Sequence, residues 1–330
     1  MSGRGRTSGQ RLRLVGAGLL LLVGWACHAD DQARNLLREM HDATRHSNYD
    51  GIFVYQRGVQ LDTMRLVHMY DGDAERERLI SLSGPAREVI RDGTRVTCLF
   101  ADDHAAMVER APPRDIIGIG FSAPVDALVD NYRFSVEGRD RIAGRDAMIV
   151  GVTPRRDDRY AYQLWIDAAS KLLLKSIILG RGGRVLEQVQ FTRIDLVDQP
   201  DPARLQPEIG GSGFTWHLDD DDSDVSATGA EVAQWQVNWV PEGFELKEND
   251  VQNMATSKMP VDHLVYSDGL AMVSVFIEAL MEGEPPLQGY SARGAVNAFS
   301  RIADNHQITV VGEVPLPTVR QIAASVSREP

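Results

Sequence analysis

Between residues 49 and 195 apolar and polar positions alternate with a period of two, interrupted at regular intervals by glycine and aspartate. That period gives a β-strand one apolar and one polar face. The pattern is clearest over 143–192. Apolar residues alternate over 147–152 and 160–166 and thicken at 172–174 and 177–179. They alternate again through Val185, Val189 and Phe191, after the Gly180-Arg181-Gly182-Gly183 turn. Four strands joined by tight turns are predicted there, folded as a meander. Five more are predicted upstream at 51–56, 63–70, 75–82, 87–91 and 95–101, with hairpin turns at Asp71-Gly72 and Asp92-Gly93. A helix capped by Asp30 or Asp31 precedes them and runs to about His46, with Leu36, Leu37, Met40 and Ala43 on one face. The alternation fails over 104–131, where only a short helix near 125–131 fits, and resumes at Tyr132. The expected architecture is α+β, a long antiparallel sheet covered by one or two helices.

Residues 196–230 read as a flexible acidic linker. They carry Pro200, Pro202, Pro207, the Gly210-Gly211-Ser212-Gly213 run and five aspartates within 219–224, a composition with too little apolar surface to fold alone. A smaller domain is expected over 231–330. It has strands at 234–240, 263–279 (a hairpin turned at Asp268-Gly269) and 308–314, and a terminal helix from Pro317 with Val319, Ile322 and Val326 on one face.

The N-terminus sets the compartment. Arg4, Arg6, Arg11 and Arg13 precede an apolar run over 14–26, and Cys27-His28-Ala29 supplies small residues for cleavage after Ala29. That is the pattern of a secretory signal peptide, residues 1–29, with the large domain over 30–195. The run is shorter than the ~20 apolar residues a spanning helix needs. Cleavage removes four arginines and no acid, taking the net charge from −12 to −16, and leaves Cys98 as the one cysteine. Cys98 lies in a strand pattern and reads as a buried small hydrophobe. From 205 to 292 two lysines face 16 acids. This excess argues against nucleic acid and leaves solubility or a basic partner as its explanation.

Candidate chemistry is sparse. Asp220, Asp222, Asp224 and Glu231 have the spacing of a calcium loop, but Val225 stands where its sharp turn needs glycine. A solvated run is the better reading, and no zinc-spaced histidines and cysteines, serine elbow or phosphate loop appear. No metal or cofactor is expected. Asp157, Asp158 and Asp167 read as solvated turn residues rather than acid–base carboxylates, and the chain reads as a binder rather than an enzyme. The segment 111–124 places Ile116, Ile117, Ile119 and Phe121 among glycines and prolines. It is either a lid over an apolar cavity or a loop tucked into the core; periodicity does not separate the two. Phe53, Tyr55, Trp165 and Phe191 on the strands would line such a cavity or pack the core. In the small domain Trp239, Tyr266 and Phe276 are the candidate partner contacts, with core packing as their alternative.

The stretches NYDGIFVY (48–55), ERERLISLSGPAREVIRDG (75–93), VTPRRDDRYAYQLWID (152–167), VNWVPEGFEL (237–246), YSDGLAMVSVFIE (266–278) and VVGEVPLPTV (310–319) resemble the MucB/RseB family in order through both domains. The resemblance implies a large domain like the LolA and LolB lipoprotein carriers, an unclosed β-barrel covered by helices, with a smaller mixed α/β domain after it. It implies a periplasmic negative regulator of the envelope-stress sigma factor. Such a protein binds the periplasmic part of a transmembrane anti-sigma factor and shields it from regulated proteolysis. Lipid-bearing signals, lipopolysaccharide or lipoprotein, would release it. On this reading Phe53, Tyr55, Ile116, Ile117, Ile119, Phe121, Trp165 and Phe191 meet the lipid; Trp239, Tyr266, Phe276 and the linker meet the partner. A plain lipoprotein or lipid carrier is the rival, and a homo-oligomer stays open.

Overall fold

The computed structural model describes residues 20–110, 121, 123–198, 201–210, 213–218, 235–252, 260–281 and 286–328. The first helix, α1, spans Leu20–His46, ten residues earlier than its expected start. Asp30 and Asp31 therefore lie inside the helix, where both carboxylates pair with Arg34 rather than cap a terminus. Its apolar face is the expected one, with Ala33, Leu36, Leu37 and Met40 buried.

Twelve strands follow. They are β1 (Tyr49–Arg57), β2 (Gln60–Tyr70), β3 (Glu75–Ser81), β4 (Arg87–Asp92), β5 (Arg95–Phe100), β6 (Ala105–Arg110), β7 (Tyr132–Ile142), β8 (Arg145–Pro154), β9 (Ala161–Asp167), β10 (Leu173–Leu179), β11 (Val185–Leu196) and β12 (Thr215–Leu218). They form one open sheet in the order β12-β6-β5-β4-β3-β2-β1-β11-β10-β9-β8-β7, antiparallel except between β12 and β6. The chain doubles back once, so that β11 returns from the meander to pair with β1. Because β12 and β7 do not pair with each other, the sheet is an unclosed barrel wall.

Three expectations fail here. The broken stretch 104–131 contains β6 as well as a one-turn 3-10 helix at Val125–Leu128. Part of the supposed linker is also built into the large domain. A second 3-10 turn, Pro202–Leu205, buries Leu205 against Val67 and Met69, and Thr215–Leu218 extends the sheet as β12. Cys98 is half-buried on β5 rather than buried.

The small domain has β13 (Trp235–Val237), β14 (Glu245–Gln252), β15 (Val261–Ser267), β16 (Met272–Ala279), β17 (Gly289–Arg293), β18 (Val296–Ala303), β19 (His306–Gly312), the helix α2 (Leu316–Ser325) and β20 (Val326–Arg328). Six of these strands form an antiparallel sheet in the order β14-β15-β16-β19-β18-β17, and β13 pairs with β20. The apolar stripe of α2 buries Val319 and Ile322 in a core shared with Val273, Val275, Ile277, Ile308 and Val310. Strands β14 and β17 escape the apolar pattern because they are edge strands with few inward residues; β17 is exposed at every position.

Candidate functional site

Besides the small Val67–Met69–Leu205 group, the large domain holds two larger apolar clusters. On β9, the neighbours Leu164 and Trp165 point to different ones, as the pleat requires. One cluster gathers Phe53, Trp165 and Phe191 with Leu66, Leu174 and Ile177, and Tyr55 packs against it. The Phe53 and Phe191 rings meet edge to face at 5.5 Å. The Phe191 ring lies directly over Gly51, where any Cβ would collide with it. Four of the candidate lipid residues thus stand together, and three of them pack each other as core; Phe53 and Phe191 are 3% and 1% exposed. Trp165 directs its indole N–H to the Asp140 carboxylate at 2.9 Å, and the Lys175 ammonium stands 4.4 Å above its ring. Phe121 belongs to the other cluster, beneath α1, with its ring 6.4 Å from that of His41. Ile116, Ile117 and Ile119, like the acidic calcium-loop spacing, lie outside the described residues. Among the described residues no group of three His, Cys, Asp or Glu side chains is placed to hold a metal ion.

The second feature is a polar clasp between the domains, built from the loop between β8 and β9 that carries RRDDRY. The Arg159 side chain is 1% exposed and pairs with both Asp158 and the fully buried Asp268. It also donates to the Glu242 carbonyl at 2.7 Å and lies 5.0 Å above the Phe244 ring. The Tyr132 hydroxyl donates to Asp268 at 2.9 Å. Burial and the neighbouring Asp268 charge push that phenol well above its ordinary range. Arg156 pairs with Glu242, the Asp158 carbonyl accepts from Thr318 at 2.8 Å, and Asn297 donates to the Tyr160 hydroxyl at 2.9 Å. One motif therefore reaches four elements of the small domain. The reading of Asp158 and Asp167 as solvated turn residues does not hold. Asp158 serves the clasp, and Asp167 accepts from Arg145 at 2.7 Å and from Ser170. Burial pushes the Asp167 carboxyl up, but those hydrogen bonds outweigh it and hold it below its ordinary value. Asp157 is solvated, as expected.

A third contact lies at the end of β11. The half-buried Tyr55 hydroxyl donates to Glu187, and the other Glu187 oxygen accepts the Ala295 N–H at 2.8 Å. Ala295 sits in the turn between β17 and β18 and is fully buried in the α1 cluster. Gly294, at φ +64, precedes it; a Cβ there would strike Glu187 and Arg57. Asp158, Asp268 and Glu187 thus each hold donors at the junction.

In the small domain Tyr266 is buried in the core and Trp239 packs half-buried beside it. Phe276 is half-buried and stacks on His263 at 4.5 Å. These three do not form one exposed patch. Exposed apolar side chains lie elsewhere, among them Leu246 and Val251 on the β14 edge, Tyr290 on β17 and Trp216 on β12. Among the described residues no helix is long and apolar enough to cross a membrane.

Residues 32–209 match the MucB/RseB N-terminal domain and residues 229–327 the MucB/RseB C-terminal domain. The sigma factor AlgU regulatory protein MucB of Pseudomonas aeruginosa is 33% identical over 327 residues, covering 94% of this chain and 97% of that protein. The sigma-E factor regulatory protein RseB of Haemophilus influenzae is 26% identical over 330 residues, covering 96% of this chain and 98% of its own. Among solved structures, the Pseudomonas aeruginosa MucA/MucB complex aligns with a TM-score of 0.72 at 31% identity, over 91% of this chain and 99% of the other. MucB in complex with MucA(peri) aligns at 0.70 with 31% identity, over 90% and 99%. Matched in order through both domains and joined by a clasp made of its own family-like stretches, the chain belongs to the MucB/RseB family.

Proposed function

We propose that this protein is a periplasmic regulator of an envelope-stress sigma factor. It binds the periplasmic part of a transmembrane anti-sigma factor and protects that part from proteolysis. The observation that carries this reading is the alignment of both domains with MucB held in complex with MucA(peri), at 31% identity over 90% of the chain. The buried carboxylates support a binding role, because each is engaged in holding a donor. Export with cleavage after Ala29 belongs to the same reading, as does release by a lipid-bearing signal. An acyl chain entering the cluster around Phe53, Tyr55, Trp165 and Phe191 would gain about 0.8 kcal/mol per buried CH₂. It displaces the partner only by the difference in its affinity for the free and bound forms.

The test uses residues 30–330 intact. Cutting away the small domain would take Asp268 from both Arg159 and Tyr132 and uncover the apolar cluster that buries Ala295, so a truncated protein would report misfolding rather than binding. The expected result is saturable binding of the anti-sigma factor's periplasmic fragment, with slower cleavage of that fragment by its site-1 protease. A fragment that neither binds nor gains protection would sink the regulator reading.

A further inference from the structure

We propose that Tyr55 and Glu187 transmit occupancy of the apolar cluster to the small domain, so that a lipid acting on the large domain loosens the turn that carries Ala295. The proposal rests on the lipid-release reading above and assigns its coupling to two side chains. On the β1–β11 ladder Phe53 stands opposite Phe191, Tyr55 opposite Val189 and Arg57 opposite Glu187. The cluster and the junction are thus two ends of one strand pair, separated by four residues, or roughly 13 Å at ~3.3 Å each. The ladder already slips in register between Ile52 and Phe53, beside the aromatic pair. Such a bulge is a place where a strand bends locally.

The cluster is closed by Phe53 against Phe191, with the Phe191 ring on Gly51. To admit an acyl chain these rings must part, and β1 must then shift relative to β11. Tyr55 is the side chain that feels this, since its ring packs on the cluster while its hydroxyl holds Glu187. Glu187 is bonded on both sides, with one oxygen taking the Tyr55 hydroxyl and the other the buried Ala295 N–H. The Gly294 backbone leaves no slack, because it lies against both Glu187 and Arg57. A displaced Tyr55 releases one oxygen of a buried carboxylate, and as that group re-solvates it withdraws the acceptor of the Ala295 N–H. A buried N–H without a partner is costly, so the turn moves away from the large domain. Cluster and turn are then two sites biasing one two-state contact, which is what coupling requires.

The experiment measures affinity of residues 30–330 for the anti-sigma periplasmic fragment, with and without a saturating diacylated lipopeptide, and amide exchange at Ala295. In the wild type the lipopeptide should weaken fragment binding about tenfold or more and speed Ala295 exchange. Tyr55→Phe keeps the ring in the cluster and deletes only the hydroxyl. With lipopeptide saturation confirmed by titration for each protein, the variant's fragment affinity without lipopeptide should stay within about twofold of wild type, while the lipopeptide's effect on the fragment falls below about threefold. Glu187→Gln retains an acceptor for Ala295 and a donor toward Tyr55, and should keep the coupling. A Tyr55→Phe protein that responds to the lipopeptide as fully as wild type overturns the proposal. So does a wild type whose fragment affinity falls while Ala295 exchange stays unchanged. A wild type in which the lipopeptide leaves fragment affinity untouched instead refutes the lipid-release reading on which the proposal stands.

Discussion

Removing the Asp268 carboxylate would take from two buried large-domain donors, the Arg159 guanidinium and the Tyr132 hydroxyl, the acceptor that the small domain supplies. Its second oxygen also accepts the Leu270 and Ala271 N–H groups at 3.0 and 2.8 Å. Arg159 keeps Asp158 but loses its fully buried partner, and Tyr132 loses its acceptor, so Asp268→Ala should cost about 2–4 kcal/mol in a urea titration. A loss under about 1 kcal/mol would mean that water reaches Arg159. Tyr162 is the opposite case. Its hydroxyl is buried with no hydrogen-bond partner among the described residues, and burial pushes its ionisation well above the ordinary range. Tyr162→Phe removes an unsatisfied polar group, so stability should hold or rise by up to about 1 kcal/mol; a clear loss would place an ordered water there. At this scale the period-two pattern made Phe53, Tyr55, Trp165 and Phe191 legible as apolar strand positions, but not the β1–β11 pairing that sets Phe53 against Phe191. It was silent on Asp268, Glu187 and Gly294. Their partners lie more than 100 residues away, and a local pattern reads an acid or glycine in a turn as nothing more than a turn.

The element that departs most from its composition is the stretch after β11. Arg78 on β3 and Glu88 on β4 form a buried pair at 2.9 and 3.0 Å, and both turn outward to the chain at 204–209. Arg78 donates to the Arg204 carbonyl at 3.1 Å, while Glu88 accepts the Glu208 and Ile209 N–H groups. A strap with few apolar residues of its own is thus held by main-chain hydrogen bonds to a charged pair, with Leu205 as its single buried anchor. Sequence reasoning scores such a segment by its own apolar content and finds a linker; the stabilising groups are on other strands. The same blindness hid β12, β14 and β17, each short, polar or at an edge, whereas the strands of the meander, buried on one face or both, announce themselves. Arg78→Ala should therefore do two things. It should destabilise the fold by about 3–5 kcal/mol by leaving Glu88 buried without its cation, and it should open residues 201–210 to limited proteolysis under native conditions. Retained resistance would show that Leu205 and the Arg204–Asp50 pair hold the strap without it.

For the whole molecule the clasp means that neither domain can unfold without taking buried ion-pair and hydrogen-bond partners from the other, so melting should be one cooperative transition. Its pH dependence follows from a histidine in each domain. His41 on α1 is held below its ordinary value of 6.5 by burial and by the nearby Arg45 charge. His263 on β15 is lowered by burial, against the opposing pull of Asp250 and Glu248. In both, the unfolded chain takes up a proton at a higher pH than the folded one. Proton binding to the unfolded state is then greater through that window, and stability rises with pH across it. The contribution is complete above about 6.5 and is lost as pH falls from there through the folded values. Asp50, lowered chiefly by its hydrogen bonds from Arg65, and Asp167 act in the same direction, but only below their ordinary value of 3.8. A decline between pH 7 and 5 should therefore come from the histidines. Because the two domains melt together, either protonation should lower the same transition. Calorimetry across that range should find one melting temperature falling with acidity, and a His41→Gln, His263→Gln protein should show a flatter slope. Two transitions, of which only one moves with pH, would mean that the clasp does not couple the domains.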